Sequence, residues 1–551
     1  MANKLKIMSL GGLNEIGKNI TVLEYGKDII VVDCGVGFPE DDMYGVDLVI
    51  PDFTYLVKNK DRIRGLFLTH GHEDHIGAVP YAMRELRMPI HATRLTAGLV
   101  RLKLEEHGLL KQTRLCTHEA GDTVTAGCFQ VEFIRVNHSI ADAVAFAIHT
   151  PVGTVVMTGD FKIDPTAFGG MIDLGRLGQL GKEGVLALLC DSTNVENPGY
   201  SASERMVAEG FDRQFKGCNQ RIIVTTFASN AYRLQSLVTV AHRYGRKVAV
   251  SGRSMENVLK VSMELGYLKV PKGTLVDLAE IKNLPKNKVV IVSTGSQGEN
   301  MSALYRMAFS MHKQVEIQPG DRVIISASAI PGNEKSVSKI INELYRKGAE
   351  VIHDKSADLH ASGHACQEEL KILHGLLQPK FFLPVHGEQR HLQTHSRLAQ
   401  QMGMNPRNIF IGEIGQVFEL TKNHCKQEGT VPAGKVLVDG TGVGDVGSAV
   451  LRDRKHLAED GMLVVVVNLS SEDGSVVTGP DIITRGFIYV KESEKLMEEL
   501  RVIAAHSIDQ CLNRRSWDWS AIKACIKSDI SGYLYRTTGR NPMVIPVINE
   551  V

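Results

Sequence analysis

No stretch of this 551-residue chain approaches the roughly 20 uninterrupted apolar residues that a membrane-spanning helix needs. The start, Met1-Ala2-Asn3-Lys4-Leu5-Lys6-Ile7, lacks the apolar core of a signal peptide and runs straight into fold-like sequence. The 9 cysteines are scattered with no C-x-x-C pair, which indicates neither a disulfide framework nor a thiolate zinc site. A reducing cytoplasm is therefore the expected compartment, with no membrane partner. Net charge is only +1, so bulk charge gives no argument for a nucleic-acid partner, and any such contact needs a local basic groove. What is present is ordinary globular material, 43% hydrophobic with a mean hydropathy of −0.06, long enough for two or three domains.

The densest chemistry lies in Thr69-His70-Gly71-His72-Glu73-Asp74-His75-Ile76-Gly77, directly after the apolar run Gly65-Leu66-Phe67-Leu68. Such a run reads as a buried strand, so the cluster falls where a strand ends and a helix begins. His70 and His72 can grip one cation from an extended loop, while Asp74 and His75 point elsewhere and suit a second. Imidazole and carboxylate are the donors zinc or manganese takes when a water must stay bound. Histidines also gather on solvated loops, but four metal-capable side chains at this spacing behind a buried strand favour the metal.

H-x-H-x-D-H resembles the signature of the metallo-β-lactamase superfamily. Its remaining ligands are expected singly at later strand ends. Asn137-His138-Ser139 follows the alternating segment Phe129 to Val136, Gly159-Asp160-Phe161 follows Thr154 to Thr158, and His386-Gly387-Glu388 follows Phe381 to Val385. The resemblance implies that His70, His72 and His138 hold one divalent metal ion, that Asp74, His75 and His386 hold another, and that Asp160 bridges them. Zinc is the expected ion, with manganese the alternative. Asp33, ending Ile29-Ile30-Val31-Val32, matches a superfamily aspartate that supports the ligand histidines from behind.

Between Asp160 and His386 the chain alternates strand-like and helix-like segments. Val185 to Cys190 ends in Asp191 and leads into Ser192-Thr193-Asn194. Arg221 to Thr226 precedes a helical pattern from Ala231 to Tyr244, and strand-like runs follow at 247–251, 289–293 and 323–326. This alternation implies an inserted parallel sheet covered on both faces. With His360-Ala361-Ser362-Gly363-His364-Ala365, the residues Asp191, His364 and His386 resemble the motifs of the β-CASP subgroup, which acts on nucleic acids. The segments Gly11 to Asn19, Asp191 to Asn194, Phe227 to Asn230, Pro384 to Glu388 and Gly479 to Phe487 together resemble the bacterial ribonuclease J family over essentially the whole chain. Ala361 departs from that pattern, where a larger valine is expected.

The fold class so implied is α/β: a metallo-β-lactamase αββα sandwich with an inserted parallel-sheet β-CASP domain and a small C-terminal α+β domain. The expected bounds are 1–204 and 351–420 for the two parts of the lactamase-like domain, 205–350 for the insertion, 421–449 for a linker and 450–551 for the C-terminal domain. Met462 to Asn468 reads as a buried strand and Glu494 to Asn513 as a helix.

The implied activity is 5′-to-3′ exonucleolytic and endonucleolytic hydrolysis of RNA, preferring 5′-monophosphate ends, in rRNA processing and mRNA decay. Two cations roughly 3.5–4 Å apart would share the attacking hydroxide. The resemblance assigns acid/base duty to Asp191 and His364, though a lone histidine is more often a satisfied core residue. It assigns the 5′-phosphate or adjoining backbone to Ser229, Asn230, Ala231, His360, Ala361, Ser362, Gly363 and His364. Ser229 at a strand-to-helix turn reads equally well as a helix N-cap. Thr294 to Glu299 is glycine-rich but lacks the P-loop lysine, and reads as a structural turn. Some family members carry calcium near the positions of Gly45, Asp47 and Asp439. Arg501, Arg514 and Arg515 could touch RNA or form a solvated face. A homo-oligomer, dimer or tetramer, is implied, with the ribosome or other RNA-decay proteins as further partners. Competing functions are a β-CASP nuclease for another nucleic acid, such as DNA, and a non-catalytic RNA-binding scaffold subunit; the latter would be expected to have lost ligands, and here all seven are intact.

Overall fold

The computed structural model describes residues 4–329, 333–353, 358–470, 475–489, 493–513 and 518–551. It divides into two compact units, the first formed by residues 1–37 and 49–436 and the second by residues 38–48 and 437–551.

The first unit is built on two facing sheets. One has eight strands, in the order Cys425–Thr430, Gln416–Leu420, Leu5–Gly11, Ile20–Tyr25, Asp28–Val32, Ile63–Phe67, Ile90–Thr93 and Leu115–His118. The other has six, in the order Phe381–Val385, Val185–Asp191, Gly153–Met157, Val144–Thr150, Phe129–Arg135 and Thr123–Ala126. Side chains from both inner faces fill the gap, Ile7, Leu23, Ile30 and Phe67 meeting Phe133, Phe146, Val155 and Leu189. Phe67 and Phe146 cross edge to face at 6.0 Å, and Phe133 meets Phe146 the same way at 5.0 Å. A second core lies behind the six-stranded sheet, where Val156, Leu188 and Phe382 meet the helices Leu174–Glu183, Gln367–Leu377 and Gln389–Gln401. Helix Arg94–Glu106 covers the outer side of the eight-stranded sheet near Ile90–Thr93 and Leu115–His118. The layering is αββα.

The alternating middle of the chain forms its own five-stranded sheet, ordered Lys247–Ser251, Val289–Ser293, Ile222–Thr225, Arg322–Ile325 and Glu350–Ile352. Every pairing in it is parallel. Its strands are apolar through their middles because both faces are covered, one core gathering around Leu234 and Leu237, the other around Met307 and Leu344. After this insertion the chain returns as Phe381–Val385, which pairs in parallel with Val185–Asp191.

Part of the stretch expected as linker is regular structure. Within it, Cys425–Thr430 pairs as an edge strand with Gln416–Leu420, the last strand before it, which itself pairs with Leu5–Gly11. Cys425–Thr430 is largely exposed, so its polar residues show no apolar periodicity to read.

In the second unit Met462–Leu469 lies between Val476–Arg485 and Met543–Glu550. Helices Glu494–Leu512 and Trp519–Thr538 cover one face, burying Leu463, Val465, Val467, Leu500, Ile508, Ile526 and Ile530. The stretch from Met462 to Asn468, expected as a buried strand, is a strand buried on one face. Burial alternates along it, leaving Val464 and Val466 half-exposed beside Ile483 and Ile545. No helix among the described residues is long and apolar enough to cross a membrane.

Candidate metal centre

The first histidines follow strand Ile63–Phe67, and Asp74 and His75 lie in the one-turn helix Glu73–Ile76. Crowding fixes this turn: a Cβ on Gly35 would fall 1.6 Å from the Asp74 carbonyl oxygen. His138, Asp160, Asp191 and His386 come from beyond or at the ends of Phe129–Arg135, Gly153–Met157, Val185–Asp191 and Phe381–Val385. Asp33 and His386 both adopt left-handed backbone, at φ 60° and 55°. For side chains larger than glycine that conformation is costly and gathers at functional sites.

Hydrogen bonds behind the imidazoles settle which nitrogens face the centre. Thr69 Oγ1 donates to Asp33 and so accepts from His70 Nδ1 at 3.0 Å. His138 Nδ1 donates to the Gly363 carbonyl at 2.8 Å, and His75 Nδ1 to Asp33 Oδ2 at 2.8 Å. Thr193 Oγ1 donates to Asp191 Oδ1 at 2.7 Å and accepts from His386 Nδ1 at 2.8 Å. In neutral His70 and His138 this leaves Nε2 as a bare lone pair, and in His75 and His386 it makes Nε2 the nitrogen turned inward. His70 Nε2 and His138 Nε2 each lie 3.0 Å from His72 Nδ1. A single ring proton can serve only one of those two contacts, whereas a cation satisfies all three nitrogens. Asp160 Oδ2 is 3.5 Å from His70 Nε2, 3.7 Å from His138 Nε2 and 3.3 Å from His75 Nε2. Asp74 Oδ2 is 3.3 Å from His386 Nε2 and 3.6 Å from His75 Nε2. Asp160 Oδ1, also buried, has no hydrogen-bond partner. The donors therefore gather as His70, His72, His138 and Asp160, and as Asp74, His75, Asp160 and His386, with Asp160 common to both. This set suits metal binding.

Charge follows the same division. Burial holds His70 and His138 well below their ordinary range and brings His72 down to about 4, so all three are neutral. Burial also disfavours the proton on His75, but Asp160, Asp74 and Asp33 outweigh it and push its pKa well up. His386 rises to about 10, burial being overcome by Asp160 and by hydrogen bonds to Asp191 and Asp74. An arriving cation must displace those protons.

Beside this centre, His364 Nδ1 lies 2.7 Å from Asp191 Oδ2. Burial alone would lower the His364 pKa, but Asp191 and Asp160 raise it, while His364 in turn holds Asp191 low against its burial. Ser362 Oγ accepts from Asn194 Nδ2 at 2.8 Å and from the His364 amide at 3.2 Å. Gly363 is packed so closely that a Cβ would fall 2.6 Å from the His138 ring. His360 is half-buried and Ala361 buried in the same segment. The helix Ala231–Arg243 is capped by Asn230, whose side chain accepts from the Arg233 amide, so Ser229 is not the cap and lies half-buried one residue before it.

Three orienting residues carry no functional signal in the sequence: Thr69, Thr193 and Asn194, each adjacent to or within a ligand motif. Asn19 is a fourth, its amide nitrogen 3.1 Å from both the Asp74 carbonyl and His75 Nε2. In the second unit, Asp47 accepts from the Gly440 amide at 2.8 Å. Arg454 pairs with Asp439 at 2.6 Å and also donates to the Tyr44 carbonyl, with Gly45 packed against its guanidinium. A calcium ion there would have to share Asp439 with Arg454. Arg501 pairs with Glu498 at 2.8 Å, and Arg514 and Arg515 lie outside the described residues.

The fold and donor set define a metallo-hydrolase, and sequence comparison agrees. Residues 13–176 match the metallo-β-lactamase superfamily and residues 352–411 the Zn-dependent metallo-hydrolase RNA specificity domain. Residues 219–344 match the ribonuclease J β-CASP domain and residues 449–551 the ribonuclease J C-terminal domain. Full-length relatives include Ribonuclease J 1 of Streptococcus pyogenes, 45% identical over 99% of this chain and 98% of that protein. Ribonuclease J of Thermus thermophilus is 45% identical over 99% and 95%, and Ribonuclease J2 of Bacillus subtilis 42% over 99% and 99%. A crystal structure of a protein of unknown function from Enterococcus faecalis shares the fold, with a TM-score of 0.52 over 76% of this chain and 100% of that one at 15% identity. The chain belongs to the ribonuclease J family.

Proposed function

We propose that this chain is a metal-dependent ribonuclease that removes nucleotides from 5′-monophosphorylated ends and also cuts internally, in RNA maturation and decay. The observation that carries this reading is Asp160 Oδ2, shared between two sets of imidazole and carboxylate donors, with the His364–Asp191 pair alongside. His70, His72 and His138 would hold one divalent cation, Asp74, His75 and His386 the other, and Asp160 both. The nitrogen-rich donors favour zinc, with manganese the alternative. Such a pair of ions supplies a nucleophile from water at neutral pH and offsets negative charge on the phosphoryl oxygens.

The protein's own groups supply the rest. His364 donates Nδ1–H to Asp191, leaving Nε2–H to protonate the departing 3′-oxygen of the cleaved bond. Its side chain is 21% exposed, which keeps it accessible to substrate. Ser362 Oγ already accepts two hydrogen bonds, so its own proton is free to be donated to a phosphate oxygen. Asn230 and Ala231 open a helix of 13 residues, whose N-terminal amides favour an anion beside Ser229. Such a pocket would take a terminal monophosphate and exclude the bulk and charge of a triphosphate.

The half-exposed apolar side of the C-terminal sheet, with Val464, Val466, Ile483 and Ile545, supports assembly into a homo-oligomer. The test of the activity is degradation of 5′-monophosphorylated against 5′-triphosphorylated RNA, with single-stranded DNA as the competing substrate. Faster loss of the monophosphorylated RNA supports the reading. Equal rates refute the pocket, and preference for DNA refutes the substrate class.

A further inference from the structure

Arg233 and Glu204 form a buried ion pair, at 0% and 4% exposure. Arg233 Nη2 and Nε reach Glu204 Oε1 at 2.6 Å and Oε2 at 3.3 Å, a two-pronged contact. Two further guanidinium bonds go to backbone: Nη1 to the Ser326 carbonyl at 2.7 Å, and Nη2 also to the Ala361 carbonyl at 3.1 Å. Glu204 Oε1 additionally accepts from Asn230 Nδ2 at 3.1 Å, and Asn230 Oδ1 accepts the Arg233 amide at 2.9 Å.

The anchor points are specific. Asn230 caps the helix that opens beside Ser229, and Ala361 begins the segment that carries Ser362, Gly363 and His364. These are the two halves of the phosphate pocket, contributed by stretches 131 residues apart between Asn230 and Ala361. A buried ion pair adds little net stability over apolar side chains of similar volume, so energy alone does not account for it. What a planar, multiply bonded guanidinium does provide is fixed distance and angle between the groups it joins, which a lysine cannot reproduce.

We propose that Arg233 and Glu204 are positioning residues that set the spacing between the two halves of the 5′-phosphate pocket, and with it the selectivity for a 5′-monophosphate. This rests on the pocket reading above. Loosening the pair lets the Ser362 side of the pocket shift from the Asn230 side, so monophosphate contacts weaken and the wider pocket no longer excludes a triphosphate.

The experiment compares the full-length, metal-loaded wild type with Arg233→Lys and with the double variant Arg233→Met/Glu204→Met, which removes both charges while keeping volume. The readouts are kcat and KM on 5′-monophosphorylated and 5′-triphosphorylated RNA, inhibition by uridine 5′-monophosphate, and cleavage of a circular RNA, which presents no 5′ end. Both variants are expected to lose at least about tenfold in the mono-to-triphosphate selectivity ratio, chiefly through KM on the monophosphate, with inhibition by the nucleotide weakened similarly. Circular RNA cleavage should fall by a clearly smaller factor. The clamp is overturned if the wild type discriminates and a folded, metal-loaded variant discriminates equally. It is also overturned if circular RNA cleavage falls by the same factor as end-dependent decay. A wild type indifferent to the 5′ group removes the pocket itself. The double variant keeps the test decisive should Arg233→Lys fail to fold.

Discussion

Thr193 lies 2.8 Å from His386, its hydroxyl accepting the Nδ1 proton while donating its own to Asp191 at 2.7 Å. The same three-part relay recurs across the centre as His70, Thr69 and Asp33. In both, a threonine fixes the tautomer that turns Nε2 inward. Thr193→Val keeps the shape and removes the relay. It should weaken metal affinity by about 10–100-fold, read by competition with a chelator, with little change in thermal stability of the metal-free protein. Affinity matching the wild type would show that the relay does not orient the ligand.

Gly363 ties the acid/base segment to a metal ligand, its carbonyl receiving His138 Nδ1–H while a Cβ at this position would fall 2.6 Å from the same ring. A methyl group there must push His138 or the 362–364 segment aside. Gly363→Ala should therefore lower kcat by about 100-fold or more and reduce metal content together, a 1 Å misplacement being enough for such a loss. Normal metal content with normal kcat would contradict the packing.

Ser362→Ala removes one phosphate donor, a contribution on the order of 1–3 kcal/mol. KM for 5′-monophosphorylated RNA should rise by about 5- to 150-fold, while metal content, measured by elemental analysis, stays unchanged. An unaltered KM would place the terminal phosphate elsewhere.

His374 and His395 bring their Nε2 atoms to 3.2 Å in the core against Phe382, and Asp191 does not offset the burial of His395. Burial lowers His374 from 6.5 to about 4 and holds His395 well below its ordinary range. With the folded pKa below the unfolded one, the unfolded chain takes up more protons as acid is added. Stability is thus fully present above about pH 6.5 and lost as pH falls toward about 4, by on the order of 2–3 kcal/mol for His374. Denaturant titrations near neutral pH and at about pH 5 should show a smaller acid loss for His374→Leu than for the wild type. Identical losses would exclude this pair as a contributor.

Much of the site could be read from residue order, because each ligand follows an apolar run whose strand character is unambiguous: Gly65 to Leu68 before His70, Phe381 to Val385 before His386. The inserted sheet was equally legible from its apolar strands alternating with a helical period. What escaped notice depends on partners distant in sequence. Thr193 looks like any turn hydroxyl until His386 arrives 193 residues later, and Arg233 reads as one more helix-surface cation until Ala361 and Glu204 enclose it. The strand Cys425–Thr430 is polar because it lies exposed at a sheet edge, and the apolar run around Val464 hides that only one of its faces is covered.

The central claim is that two cations, joined through Asp160, drive all cleavage. Metal stoichiometry, measured together with decay of a 5′-labelled RNA for the wild type and His72→Ala, tests it most directly. Two equivalents per chain, with both exonucleolytic and internal cutting abolished by His72→Ala and by chelation, are the expected result. Cleavage that persists in the His72 variant, or after complete removal of metal, would contradict it.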